Sequence, residues 1–135
     1  MNPVLLDTGV IVALLGRDER HHDECVDALR TLSGPLVTCE AVLTECCHLL
    51  RGRGKAVETV IENVERGVFR MPTRLDEIAG PVRALMKRYA RVPMSLADAC
   101  LVHLAGELET GDILTLDHDF EIYRWGINKR FHLLL

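Results

Sequence analysis

Short apolar runs alternate with longer stretches of helical periodicity along the whole chain. The runs are continuously apolar and do not alternate with polar residues, a pattern typical of parallel strands that are covered on both faces. We predict five strands in this way, at 3–6, 36–37, 68–72, 113–116 and 131–135.

The stretches between these runs predict helices, because apolar residues recur at spacings of three and four, as in Val57, Val60, Ile61 and Val64. The predicted helices cover 10–15, 22–32, 39–51, 55–66, 75–90 and 95–108, with a turn or short helix at 117–123. Thr8 and Thr38 are the expected N-caps of the first and third helices. Strands that alternate with helices indicate an α/β fold, and 135 residues fit one domain, 1–135.

Four acids lie where polar residues are least expected. Asp7 and Asp117 follow the first and fourth predicted strands, Asp98 lies in the first turn of a helix, and Glu45 lies about two turns into another. A carboxylate among apolar residues carries a desolvation cost unless its charge is compensated. In open α/β sheets ligands bind at the carboxyl ends of the strands, so one crevice could collect all four acids. The commonest reason to gather carboxylates is a hard divalent cation.

Each acid also has a purely structural interpretation, which the local pattern leaves open. Asp7 and Asp117 could cap the helices that follow them, although Thr8 is available for the first. Ser95-x-x-Asp98 resembles a capping box, and Glu45 could extend into solvent from the edge of an apolar face.

Two further kinds of site are less well supported. His118 lies between two acids, but a lone histidine in an exposed turn is more often a spectator than a general base. No histidine pair has the spacing of a zinc hydrolase, and no C-x-x-C pair occurs. The five cysteines lie among aliphatic residues and are interpreted as buried free thiols in a reducing cytosol.

The overall charge narrows the choice of partners. A net charge of −4 argues against a non-specific nucleic-acid coat protein, but it does not exclude a nuclease whose acidic site holds metal. Two basic clusters, 51–55 and 83–91, are by default solvated surfaces, yet they are the evident candidates for phosphate contacts. The N-terminal apolar stretch is interrupted by Asp7 and is too short to span a membrane, so no membrane association is expected.

Three motifs in this order resemble the PIN-domain family, and more narrowly its VapC-like toxins of bacterial toxin–antitoxin pairs. They are Leu5-Leu6-Asp7-Thr8-Gly9-Val10-Ile11, Ser95-Leu96-Ala97-Asp98-Ala99 and Leu114-Thr115-Leu116-Asp117-His118-Asp119-Phe120. Each is weak alone, but their order, with Glu45 between the first two, is fairly specific. Gly9 stands where many relatives carry Ser or Asn.

The resemblance implies a three-layer α/β/α fold with a central, mostly parallel five-stranded sheet, and a cytoplasmic, metal-dependent ribonuclease. It assigns the acidic quartet to Asp7, Glu45, Asp98 and Asp117, with Mg²⁺ or Mn²⁺ as cofactor. It also places Thr8, Thr115 and Asp119 near the metal. The implied partners are a structured RNA such as a tRNA or a ribosomal RNA loop, a cognate antitoxin, and a second copy of the chain in a homodimer.

Three alternatives stay open at this point. A phosphoryl-accepting receiver domain also gathers acids at strand ends, but it would need paired acids after the first strand, where this chain has Asp7 alone. The chain could instead be a PIN nuclease that matures RNA and does not act as a toxin. A third alternative is a binding module that keeps the fold without catalysis.

Overall fold

The computed structural model describes residues 2–135. Its helices are α1 (Thr8–Leu15), α2 (His22–Arg30), α3 (Glu40–Leu50), α4 (Ala56–Glu65), α5 (Leu75–Arg88) and α6 (Leu96–Leu108), with a 3₁₀ helix at His118–Glu121. Its strands are β1 (Val4–Leu6), β2 (Leu36–Val37), β3 (Phe69–Arg70), β4 (Asp112–Leu114), β5 (Arg124–Trp125), β6 (Lys129–Arg130) and β7 (His132–Leu133).

Five of these strands form one parallel sheet in the order β3-β2-β1-β4-β7, with six helices flanking it. This confirms the predicted α/β class and the five-stranded parallel sheet. The strand order reverses at β1, which pairs with β2 on one side and β4 on the other. The carboxyl ends of β1 and β4 therefore border the switch point at which ligands bind in such sheets.

The central strands are enclosed because helices cover both faces of the sheet. Leu5, Leu6, Ile113 and Leu114 are fully buried. Burying each such side chain contributes roughly 1.5–3 kcal/mol, so these strands fix the position of whatever follows them. The edge strands β3 and β7 have only two residues each.

The cysteines behave as the sequence predicts. All five are free; Cys25, Cys39, Cys46 and Cys100 are buried and Cys47 is half-buried. Within residues 2–135 no helix combines the length and the apolar character needed to cross a bilayer.

Two predicted helix caps, Thr8 and Thr38, were wrong, whereas Ser95 caps α6 as its pattern predicts. Asp7, and not Thr8, is the N-cap of α1, because its side chain accepts a hydrogen bond from the Thr8 backbone N–H. Thr38 does not cap α3, which begins at Glu40 behind Cys39. The Thr38 hydroxyl instead donates to the carbonyl of Leu6 at 2.8 Å, across the ends of β1 and β2. The Thr8 hydroxyl likewise makes a tertiary contact, since it donates to Glu45. Local sequence reveals neither contact.

A second, two-stranded sheet was not predicted. β5 and β6 form an antiparallel hairpin whose turn contains Gly126 and Asn128, both with positive φ. Three of the four strand residues are charged, so the two strands left no hydrophobic pattern. Trp125 anchors the hairpin against Gly111, where a Cβ would lie 2.3 Å from the indole Nε1.

Gly34 permits the close approach that seats β1 beside β2. A Cβ at Gly34 would lie 1.9 Å from the carbonyl oxygen of Asn2, so Gly34→Ala should displace the chain entering β1 and cost about 1–3 kcal/mol of stability. The matched control is Gly80→Ala in α5, where a Cβ meets nothing within 4 Å. That change should alter stability by less than about 1 kcal/mol, because the helix propensity gained with Ala is opposed by the restriction that Pro81 places on the residue before it. Urea denaturation of both variants measures the difference, and equal effects would contradict it.

Candidate active site

All four acids of the predicted quartet line one cavity at the carboxyl edge of the sheet, with a volume of about 590 Å³. Asp119 lines it as well, so five acids share the space. The full lining is Asp7, Thr8, Gly9, Glu45, Leu49, Pro93, Ser95, Asp98, Leu116, Asp117 and Asp119. Among the residues that the structure describes, this lining includes no lysine or arginine.

Asp7 follows β1 directly and is only 7% exposed. Its Oδ1 accepts a hydrogen bond from the Thr8 backbone N–H at 2.8 Å, and its Oδ2 accepts one from the Thr115 hydroxyl at 2.7 Å. Burial raises its pKa from 3.8 to about 6; the two hydrogen bonds oppose this rise, and the charges of Asp98 and Asp117 add to it. Asp7 is therefore a carboxylate whose negative charge is costly in the absence of a cation.

Asp98 is held in the first turn of α6 by a capping box. Its backbone N–H donates to Ser95 Oγ at 3.0 Å, and its Oδ2 accepts from the Ser95 backbone N–H at 3.2 Å. The same Oδ2 also accepts a hydrogen bond from the Tyr123 hydroxyl at 3.0 Å. Burial raises the pKa of Asp98, while these hydrogen bonds oppose the rise. Asp98 thus caps its helix and also faces the cavity.

Thr115 connects Asp7 to the turn that carries Asp117. It is 2% exposed; its hydroxyl donates to Asp7 and accepts from the Asp117 backbone N–H at 3.0 Å. Asp117 caps the 3₁₀ helix, with its Oδ1 accepting from the Asp119 backbone N–H at 2.9 Å. One buried hydroxyl therefore fixes the ends of two neighbouring strands relative to each other.

Glu45 is exposed, but a hydrogen bond ties it to the cavity. The Thr8 hydroxyl donates to Glu45 Oε2 at 3.2 Å, joining α3 to the start of α1. The solvated interpretation of Glu45 is therefore incomplete. Below it, the thiol of Cys46 donates to the Thr8 carbonyl at 3.7 Å, and burial raises the pKa of this thiol to about 12.

The donors fit a hard divalent cation in type, though not as a closed cage. No three His, Cys, Asp or Glu side chains within residues 2–135 stand close enough together to enclose a metal ion by themselves. Mg²⁺ keeps several water ligands and is usually bound through one or two carboxylates, so a closed cage is not required. Burial, and to a smaller extent the charges of Asp98 and Asp117, raise the pKa of Asp7, and a bound cation would offset both effects.

Comparison with known proteins agrees with this geometry. A model of the PIN domain family matches residues 4–126. The chain belongs to the PIN domain family. No curated protein sequence matches it. Its structure is similar to that of the Mycobacterium tuberculosis VapC20, described as a sarcin–ricin loop cleaving toxin. The TM-score is 0.80 at 17% identity, over 88% of this chain and 93% of that one. At that identity the likeness bears on the fold.

Sequence reasoning missed several residues of this PIN domain's cavity. Leu49 and Pro93 line it without carrying polar side chains, and no motif drew attention to them. Tyr123, which is not part of the lining but donates a hydrogen bond to Asp98, was missed as well, since no sequence motif contains it. His118, whose role as a spectator was expected, does not line the cavity; its ring lies 3.3 Å from exposed Glu121. Of the basic cluster at 51–55, Arg53 pairs with Asp18 and Glu19.

Replacing Asp7 should stabilise the metal-free PIN domain. The folded state holds the Asp7 proton more tightly than the unfolded state does. The protonated Asp7 therefore contributes its full stabilisation below the unfolded pKa of 3.8, and this stabilisation is lost as the pH rises to about 6. Asp7→Asn should therefore gain up to about 3 kcal/mol at about pH 7.5, and little at about pH 4. Chemical denaturation in EDTA across this range measures the gain.

Asp119→Asn is the matched control, because it removes one charge from the same cavity at a less buried position. It should give a smaller gain in stability at about pH 7.5. An Asp7→Asn gain of equal size at both ends of the pH range would contradict the role of the buried charge.

Proposed function

We propose that this PIN domain is a Mg²⁺- or Mn²⁺-dependent endoribonuclease and that it is the toxin of a toxin–antitoxin pair. The observation that carries the proposal is the gathering of five acids in one cavity at the switch point of the sheet, with no lysine or arginine among the described lining residues. Burial of several carboxylates together is costly, and a bound divalent cation is the simplest compensation. Phosphodiester hydrolysis is the chemistry for which such a site is best suited.

In this proposal Asp7 and Asp98 are the main metal ligands, Asp117 completes the site, and Glu45 binds the metal or orients the attacking water. Thr8, Thr115 and Asp119 act around them. A divalent cation held in this site would neutralise charge on the phosphoryl oxygens and lower the pKa of bound water. Each of the four acids already has at least one oxygen fixed by a protein donor, and Asp7 has both, which limits the reorganisation needed on binding.

The side chains of this chain have distinct tasks in the reaction. Thr115 holds Asp7 and the Asp117 turn at a constant separation, so that both carboxylates face the same space. Glu45 is the most exposed acid and keeps Oε1 free of protein donors among residues 2–135, which suits it to accept a proton from the attacking water. Leu49 and Pro93 border the cavity with apolar surface against which a ribose or base can pack.

RNA is the proposed substrate, and the acidic lining means that its phosphates are repelled until metal is present. VapC20 is described as cleaving the sarcin–ricin loop, which supports a structured RNA loop or tRNA as the target class here. We further propose a cognate antitoxin that masks the cavity, and a homodimer as the active form in the cytoplasm. The RNA sequence recognised is set by surface contacts outside the acidic cavity.

Divalent metal should stabilise the protein. Millimolar Mn²⁺ or Mg²⁺ relieves the repulsion among the acids, and a concentration 100-fold above Kd would add about 2.7 kcal/mol of stability. Thermal unfolding at about pH 7.5 with and without metal measures this, with NaCl at equal ionic strength as control. Asp98→Asn should reduce the shift. A wild-type melting temperature that neither ion raises would count against the metal site.

Purified, antitoxin-free protein should cut total cellular RNA into discrete fragments with Mn²⁺ or Mg²⁺ and not with EDTA. Asp98→Asn should abolish cleavage, because it removes a proposed metal ligand. Asp112→Asn is the matched control, since Asp112 lies at the amino-terminal end of β4, away from the acidic cavity, and pairs with His132. Equal cleavage by wild type and Asp98→Asn would mean a contaminant or a misplaced site.

The toxin role needs a separate measurement, because a PIN nuclease that matures RNA would pass the cleavage test. Induced expression of the wild type should arrest growth of a host that lacks the antitoxin, and co-expression of the neighbouring gene should relieve the arrest. Expression of active enzyme without arrest would favour RNA maturation.

A further inference from the structure

Asp98 is fixed at one of its two carboxylate oxygens. Oδ2 accepts both the Ser95 backbone N–H at 3.2 Å and the Tyr123 hydroxyl at 3.0 Å. Among the described residues no protein donor reaches Oδ1. The free oxygen is therefore the one available to a cation, and the two donors on Oδ2 decide its direction.

The two donors constrain Asp98 differently. Ser95 is three residues away on the same helix start, so its contact is part of the capping box and would serve helix α6 in any protein. Tyr123 is 25 residues away along the chain and reaches Asp98 from the segment that follows the 3₁₀ helix. The hydrogen bond from Tyr123 is not needed to cap helix α6, so it constrains the Asp98 carboxylate beyond what the helix requires.

Tyr123 is itself held rigidly. It is fully buried, and its ring makes edge-to-face contacts with Tyr89 and Phe120, each at 5.1 Å between centroids. Its backbone N–H donates to the Asp119 carbonyl at 3.1 Å.

We propose that Tyr123 is a positioning residue for the metal site: its buried hydroxyl fixes the carboxylate of Asp98 so that Oδ1 is presented to the divalent cation. The inference rests on the proposed function, because it assigns Tyr123 a task only if the cavity binds metal. Partners of this kind orient metal ligands, and losing one typically weakens metal affinity or activity about 10–100-fold.

The position of Tyr123 also relates Asp98 to the other acids. Asp117 caps the 3₁₀ helix, Phe120 lies within that helix, and Tyr123 follows two residues after its end. A shift of this segment therefore moves the Asp117 turn and the Tyr123 hydroxyl together. Through Tyr123, the Asp98 carboxylate on α6 keeps a fixed position relative to the Asp117 carboxylate after β4.

The test compares Tyr123→Phe with Tyr89→Phe. Both changes remove one hydroxyl from the same aromatic cluster, but Tyr89 contacts the Arg124 backbone N–H and not Asp98. Mn²⁺ affinity is measured by electron paramagnetic resonance without RNA, so the readout does not depend on turnover. Tyr123→Phe should bind Mn²⁺ about 10-fold more weakly than wild type, whereas Tyr89→Phe should stay within about two-fold.

Two further measurements separate positioning from general damage. The two variants lose different hydrogen bonds, since the Tyr123 hydroxyl donates to a buried carboxylate and the Tyr89 hydroxyl accepts from a part-buried backbone N–H. The metal-free melting temperature of each variant is therefore measured first, and Mn²⁺ affinity is compared well below the lower of the two, where both variants should be folded. With RNA, Tyr123→Phe at limiting Mn²⁺ should be slower than wild type, and part of the rate should return when Mn²⁺ is raised. Tyr89→Phe should show no such rescue.

The outcomes distinguish this inference from the proposed function. If the wild type binds Mn²⁺ and cleaves RNA but Tyr123→Phe matches it in both, the positioning role is overturned while the nuclease stands. Equal losses in both tyrosine variants overturn it too, because the cluster and not the Asp98 contact would then be responsible. A wild type that neither binds Mn²⁺ nor cleaves RNA overturns both.

Discussion

The carboxylate of Asp7 is enclosed at the end of β1, where one backbone N–H and one threonine hydroxyl replace its hydration. Those two hydrogen bonds do not fully compensate for burial, as the raised pKa of Asp7 shows. The protein accepts this cost at the end of the central strand of its sheet. The remaining acids are arranged around Asp7, so its environment sets the electrostatics of the whole cavity.

The strand order explains how a short chain brings these acids together. β1 is central, and the reversal of order at β1 puts the turns after β1 and β4 side by side. Helices supply the remaining carboxylates, with Asp98 in the first turn of α6 and Glu45 in the second turn of α3. Asp7, Asp98 and Asp117 all act as caps or as part of a capping box. The structural and functional interpretations of these acids are therefore not exclusive. One set of hydrogen bonds begins the helices and also orients the carboxylates.

The fold and the acids were predictable because they leave local signals. Continuous apolar runs indicate buried parallel strands, and an acid inside an apolar run is conspicuous in any sequence. The partners of those acids were not predictable in the same way. The hydroxyls of Thr8 and Tyr123 are used by acids 37 and 25 residues away, respectively, and only the tertiary structure shows which acid each one reaches. The β5–β6 hairpin escaped for a related reason, since it is held by Trp125 packing on Gly111 and not by an apolar pattern of its own.

The shortness of the outer strands bears on how copies of this protein can associate. β3 and β7 close the sheet with two residues each, so their outer edges offer few backbone N–H and C=O groups to an incoming strand. Extension of the sheet from one molecule to the next is correspondingly disfavoured. Contacts between copies are then expected to use side chains outside the sheet edges, where a few substitutions can change the choice of partner without disturbing the sheet or the acids at its carboxyl edge.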